Sequence, residues 1–144
     1  MAERACVNHQ RGGCNEPCPA PAILLVEDEV LIRFDTADQL RALGMAVTEA
    51  ADAEEALRIL ESGVRVDLVF TDVRMPGAMG GLGLARAVRA RYPGLKVILC
   101  SGDDNSIGQC LAEENAMDLT DFLRKPYRID EVERRIRQLL ETPQ

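Results

Sequence analysis

The chain has 144 residues, 47% of them hydrophobic and 28% charged, which is enough for one domain with a core of its own. A formal net charge of −7 weighs against a nucleic-acid surface, and 3% aromatics with no Trp make the expected core aliphatic. No apolar run approaches the length of a membrane span, and the first residues lack the hydrophobic block of a signal peptide. The expected location is therefore the cytoplasm, with neither nucleic acid nor membrane as partner. Five cysteines, an odd number, fit a reducing compartment better than a disulfide framework.

Residues 1–21 differ in composition from everything after them. They hold Cys6, Cys14, Cys18, the only histidine (His9), a Gly-Gly pair and prolines at 17, 19 and 21. With no hydrophobic period, this segment reads as a flexible tail ending in an extended linker. Cys6, His9, Cys14 and Cys18 could supply four zinc ligands, but their spacing contains no Cys-x-x-Cys pair, and a disordered extension is the better reading.

At Ala22 the pattern turns regular. Ile23, Leu24, Leu25 and Val26 predict a buried strand that ends in Glu27, Asp28 and Glu29. A helix is predicted next, with Val30, Phe34, Ala37, Leu40 and Leu43 facing inward and Gly44 closing it. Residues 45–50 predict a shorter strand. Asp52 then caps a second helix, with Glu55 placed for a capping box and Ala56, Leu57 and Leu60 facing the core.

Leu68, Val69, Phe70 and Thr71 run straight into Asp72. So continuous a run predicts a strand covered on both faces, as in a parallel sheet. Pro76 and Gly77 stop the chain soon after, so Asp72 stands at the carboxyl end of a strand. In open α/β sheets that edge is where ligands bind. The glycine-rich stretch 77–83 (GAMGGLG) lacks the GKS or GKT ending of a P-loop and is expected to be a flexible loop. Leu84, Ala87 and Val88 mark a third helix, stopped by Pro93 and Gly94. Residues 96–100 predict a fourth strand leading to Ser101 and Gly102. A weak, polar helix is predicted within 106–115, with only Ile107, Cys110 and Leu111 for the core. Asp121, Phe122 and Leu123 form a short fifth strand, followed by Arg124, Lys125 and Pro126. The last helix is amphipathic through Ile129, Val132, Ile136, Leu139 and Leu140.

Five strands alternating with five helices predict an α/β fold, a doubly wound (βα)5 domain with a five-stranded parallel sheet over residues 22–141. Residues 142–144 are a short C-terminal tail. Parallel strands bring their polar ends together: Glu27 and Asp28 from the first, Asp72 from the third, Ser101 from the fourth, Lys125 from the fifth. Three adjacent carboxylates repel one another unless a cation neutralises them. Oxygen-only ligands favour a hard ion, and Mg²⁺ leaves room for a phosphoryl oxygen. An aspartate in such a site is a nucleophile suited to forming an acyl phosphate.

The order LLVEDE, VFTDVRMPG, VILCSG and FLRKPY resembles the receiver domain of bacterial two-component response regulators, over nearly all the chain after the tail. The resemblance implies a flavodoxin-like receiver fold acting in a phosphorelay. It makes Glu27 and Asp28 the acidic metal pair, Asp72 the phospho-acceptor and Mg²⁺ the metal. Arg74 would give the metal its backbone carbonyl. Ser101 and Lys125 would bind the phosphoryl group, Phe122 falls at the aromatic switch position, and Pro126 is the cis-proline position. The donor implied is a histidine kinase or histidine phosphotransfer protein. The output face implied is helix four, strand five and helix five, acting on a downstream protein or on a second copy. No enzyme activity is implied beyond phosphorylation and dephosphorylation of Asp72.

The chain departs from the family pattern in four places. The glycine-rich loop reads as one residue longer than usual, Arg74 puts a cation beside the phosphoryl position, and Gly102 leaves that position open to water. Arg128 stands where an N-cap Ser or Asp is expected. The leading expectation is a stand-alone phospho-receiver. A receiver fold used as a constitutive adaptor is the alternative, and an aspartate-based hydrolase a third. Against the hydrolase, the Asp-x-Asp that haloacid-dehalogenase-type enzymes use is here Asp72-Val73-Arg74.

Overall fold

Three strands, β1 (Ala22–Val26), β3 (Leu68–Asp72) and β4 (Lys96–Ser101), are buried along nearly their whole length, as strands covered on both faces must be. β2 (Ala46–Ala50) and β5 (Thr120–Arg124) are the sheet edges, in the order β2-β1-β3-β4-β5, with every pairing parallel. This computed structural model describes residues 20–75, 77, 79–102 and 120–141. Among them are four helices: α1 (Val30–Ala42), α2 (Ala53–Glu61), α3 (Gly80–Arg91) and α4 (Ile129–Glu141), the last being the fifth helix of the sequence reading. The helix expected within 106–115, the tail cysteines with His9, Pro76 and residues 142–144 lie outside the described residues.

The period-two alternation of the strands splits the core in two. Leu24, Val26, Val69, Val97 and Leu99 face α2 and α3. Ile23, Leu25, Leu68, Phe70, Ile98, Cys100 and Leu123 face α1 and α4. A doubly wound sheet follows from that division. Asp52 accepts from the Glu55 N–H at 2.8 Å and Glu55 accepts from the Ala51 N–H at 2.8 Å, a capping box that fixes the start of α2. At the opposite edge of the sheet from the carboxylates, buried Lys96 donates from Nζ to the Leu139 carbonyl at 2.8 Å and ties β4 to the last turn of α4.

Two local expectations need correction. In α1 the inward residues are Thr36, Ala37 and Leu40, while Val30 and Phe34 are 51% and 53% exposed. The helix begins at the carboxyl edge of the sheet, and residues 30–34 contribute to neither core. An apolar period there has no strand beneath it. Arg33, one step along from those residues, takes the inward side instead.

The second correction concerns the glycines. Gly80, Gly81 and Gly83 belong to the first turn of α3, so the connection after Asp72 is shorter than a loop reaching residue 83. Gly81 packs directly on the end of β3: a Cβ there would overlap the Asp72 carbonyl oxygen and lie 2.8 Å from its carbon. Backbone against backbone leaves no side chain to move aside.

Alanine at Gly81 would gain about 1 kcal/mol of helix propensity. We expect the overlap to outweigh this and Gly81→Ala to lose about 1–3 kcal/mol in urea unfolding. Gly102→Ala, whose Cβ would sit 3.7 Å from the Lys125 Cβ, should stay within about 0.5 kcal/mol of wild type. Equal stability of wild type and Gly81→Ala would contradict the close packing.

Candidate functional site

Register decides what meets at the carboxyl edge. Val26 pairs with Thr71, Asp72 with Cys100 and Ser101 with Arg124. Glu27, Asp72 and Lys125 therefore emerge within a step of one another, where neighbouring strands β2 and β3 lie on opposite sides of β1. That is the topological switch point of the sheet. Glu27, Asp28 and Asp72 each offer a carboxylate oxygen, and these atoms all lie within 4.8 Å of one another. Lys125 faces them, with Nζ 2.9 Å from Asp72 Oδ2 and 3.8 Å from Glu27 Oε1.

Glu27 is buried, and burial raises its pKa; the Asp72 charge adds to this, while the Glu29 N–H and Lys125 work the other way. Burial also opposes the charged form of Lys125. The hydrogen bond and charge of Asp72, helped by Glu27, outweigh that penalty, so the Lys125 pKa is raised. Ionised, three carboxylates against one ammonium leave a net −2 at the pocket, which a divalent cation would balance. All three donors are hard oxygens, with no nitrogen or sulfur among them, so the residues present suit Mg²⁺.

Ser101 ends β4 and is buried; its carbonyl accepts the Lys125 N–H at 2.9 Å, which aligns the lysine's backbone with the sheet. The Lys125–Pro126 bond is cis. Arg74 lies two residues past Asp72 with an exposed side chain. Phe122 stands apart from the carboxylates, partly buried against the core on the α2–α3 side. Arg135 of α4 grips β5 beside it, donating to Asp121 Oδ2 at 2.7 Å and to the Phe122 carbonyl at 3.2 Å.

Sequence reasoning missed two residues. Tyr127, next after Pro126, packs its ring 5.7 Å from that of Phe70 and so anchors the loop that carries Lys125. Arg33 reaches the Glu27 carbonyl from Nη1 at 2.8 Å. The only signal for Arg33 was a cation amid the apolar residues of α1.

A doubly wound parallel sheet with an acidic, lysine-faced pocket at its switch point defines a class: a domain equipped for a divalent cation and an oxyanion. Residues 23–137 match the family model of the response regulator receiver domain. The sensor kinase CckA of Brucella abortus is 36% identical over 121 residues, covering 83% of this chain and 12% of that protein. The aerobic respiration control protein ArcA of Escherichia coli strain K12 is 36% identical over 120 residues, covering 83% and 48%. Among solved structures, a response regulator receiver protein from Sinorhizobium medicae WSM419 superposes with a TM-score of 0.76 at 28% identity, covering 85% of this chain and 96% of that one. The receiver domain of the hybrid histidine kinase CckA gives a TM-score of 0.68 at 36% identity, covering 83% and 99%. The chain belongs to the response regulator receiver domain family, the receivers of two-component phosphorelay signalling. It spans about half or less of the curated relatives it matches. No helix among the described residues is long and apolar enough to cross a membrane.

Cys100 is the register partner of Asp72 and a buried free thiol. Burial, with Asp72 nearby, pushes its pKa up to about 12, so at pH 8 it is a neutral thiol. Iodoacetamide at pH 8 should leave the Cys100 peptide unmodified in the native protein and label it in urea, as read by mass spectrometry. Native labelling at the unfolded rate would mean that the β4 end opens freely.

Proposed function

We propose that Asp72 accepts a phosphoryl group from a histidine kinase or histidine phosphotransfer protein. Glu27, Asp28, Asp72 and the Arg74 backbone carbonyl are the groups that would hold Mg²⁺. The observation that carries this reading is the Lys125 ammonium 2.9 Å from Asp72, with two further carboxylates within reach of one cation. An Asp72 carboxylate oxygen attacks phosphorus, the P–N bond to the donor imidazole breaks, and its electron pair returns to nitrogen. Bound Mg²⁺ supplies charge neutralisation for the acids and the transferring oxygens. Lys125 and the Ser101 hydroxyl take the remaining phosphoryl oxygens. Hydrolysis of the acyl phosphate resets the site, and exposed Gly102 gives water a way in. The chain's chemistry is then its own phosphorylation and dephosphorylation, carried out in the cytoplasm.

The response passes to β5 and α4, together with the helix predicted within 106–115. Drawing the Ser101 hydroxyl toward a phosphoryl group frees space beside β5, into which the Phe122 ring turns. Phe122 lacks a hydroxyl, so packing alone separates its two positions. The face so changed acts on a partner protein or a second copy of the chain.

Phosphotransfer also needs a landing surface for the donor. Val30, Leu31, Ile32 and Phe34 are exposed, Leu31 by 81%, and they begin directly after the acidic turn that carries Glu27 and Asp28. A patch of large apolar side chains on the rim of a polar site suits a protein donor and is of no use to a small one.

Acetyl phosphate with Mg²⁺ should add one acid-stable, base-labile phosphoryl group to the wild type, and none to Asp72→Asn. Uptake by Asp72→Asn at the same stoichiometry would overturn the assignment. Leu31→Glu should slow transfer from a phosphorylated histidine donor at least tenfold, about 1.4 kcal/mol, while leaving acetyl phosphate labelling unchanged. An equal loss with both donors would mean that the substitution damages the site itself.

A further inference from the structure

We infer that Arg33 is a positioning residue for the divalent-cation site, acting through the backbone of Glu27. The inference rests on reading Glu27, Asp28 and Asp72 as that site. The turn from Glu27 to Glu29 carries two of the three carboxylates or their backbone supports, and it is held from several directions. Glu27 donates its N–H to the Ala50 carbonyl at 3.0 Å, and its Oε2 accepts the Glu29 N–H at 3.2 Å. The Glu29 carbonyl accepts the Arg33 N–H at 2.9 Å. The Glu27 carbonyl, one residue past the end of β1, takes a side-chain donor instead. Arg33 Nη1 donates to it at 2.8 Å.

The guanidinium is itself oriented. Its Nε lies 3.3 Å from Glu49 Oε1 on β2, and its side chain is only 14% exposed. One planar fork therefore joins the acidic turn to the edge strand, with two donors aimed at two acceptors at fixed angles. Lysine carries its three donors on one nitrogen at the end of a flexible stem and does not present them in this fixed planar fork. Glu49 is held in turn by Arg41 of α1 at 3.2 Å. Rotating the Glu27 peptide would swing the Glu27 side chain out of the cluster and shift Asp28, the next residue, with it.

The charge of Arg33 argues in the opposite sense. A cation beside a cation site repels the ion, so if charge were its whole effect, removing it would tighten binding. Positioning and repulsion thus predict changes of opposite sign. This separates the two without reference to phosphorylation.

The test is Mg²⁺ affinity, followed by amide NMR titration of the full chain, in Arg33→Lys, Arg33→Met and Glu49→Gln. Arg33→Lys keeps the charge and loses the fork; we expect it to weaken Mg²⁺ binding on the order of tenfold, as loss of a group that orients a metal ligand does. Arg33→Met should weaken it as well, and Glu49→Gln should do so to a smaller degree. Hydrogen exchange in the metal-free protein is the second readout: the Glu27 and Glu29 amides should exchange faster in Arg33→Lys while the amides of β3 and β4 do not. Unchanged Mg²⁺ affinity in Arg33→Lys, or tighter binding by Arg33→Met, would overturn the inference. Failure of the wild type to bind Mg²⁺ would instead overturn the cation site, and the inference with it, whatever the exchange rates.

Discussion

The structure turns on a concentration of like charge. Three carboxylates share a few ångströms at the carboxyl edge, and one half-buried ammonium, Lys125, is pressed against two of them. Such an arrangement is costly, since burial disfavours each charge and the acids repel one another. It persists because the strands that deliver these groups are fixed by hydrogen bonds and by two aliphatic cores, not by the charges themselves. Every nearby feature bears on that tension: the Glu29 N–H on Glu27, the Ser101 carbonyl on the Lys125 backbone, and Tyr127 under the loop that carries the lysine.

Rigidity at this edge comes from packing too close to adjust. Gly81 lets the first turn of α3 rest on the Asp72 carbonyl, so the backbone of Asp72 is wedged between its own strand and the next helix. On the other side, Val73 donates to the Cys100 carbonyl at 2.9 Å and continues the ladder one residue past the strand. Asp72 is thereby a largely buried carboxylate on a closely packed stem, which suits the proposed change of charge being passed on instead of being absorbed locally.

The two ends of α1 are put to different uses. Its second half is ordinary core helix, with Ala37 and Leu40 under β1 and α4. Its first half overhangs the sheet, leaving Leu31 and Phe34 to solvent and turning Arg33 inward to the acidic turn. The apolar residues of α1 that find no core form the surface on which the proposed donor would land.

Much of this was legible in the residues alone. β1, β3 and β4 announced themselves by apolar runs, and the polar residues in which those runs end are the candidate site residues, because burial disfavours polar chemistry until the chain leaves the sheet. Glu27, Asp28, Asp72 and Ser101 could be named in that way before any register was known. The phase of α1 could not: Val30, Phe34 and Ala37 form as good a stripe as Arg33, Ala37 and Leu40, and only the position of the sheet edge selects between them. Nor could the place of the glycines in α3, since their propensity argues for a loop and it is the contact with Asp72 that makes a side chain impossible. Periodicity and composition are properties of a segment, and a segment carries its own burial pattern. Where a helix overhangs, which carbonyl a fork reaches, and how near two backbones come are relations between segments far apart in the chain, and only the folded arrangement sets those distances.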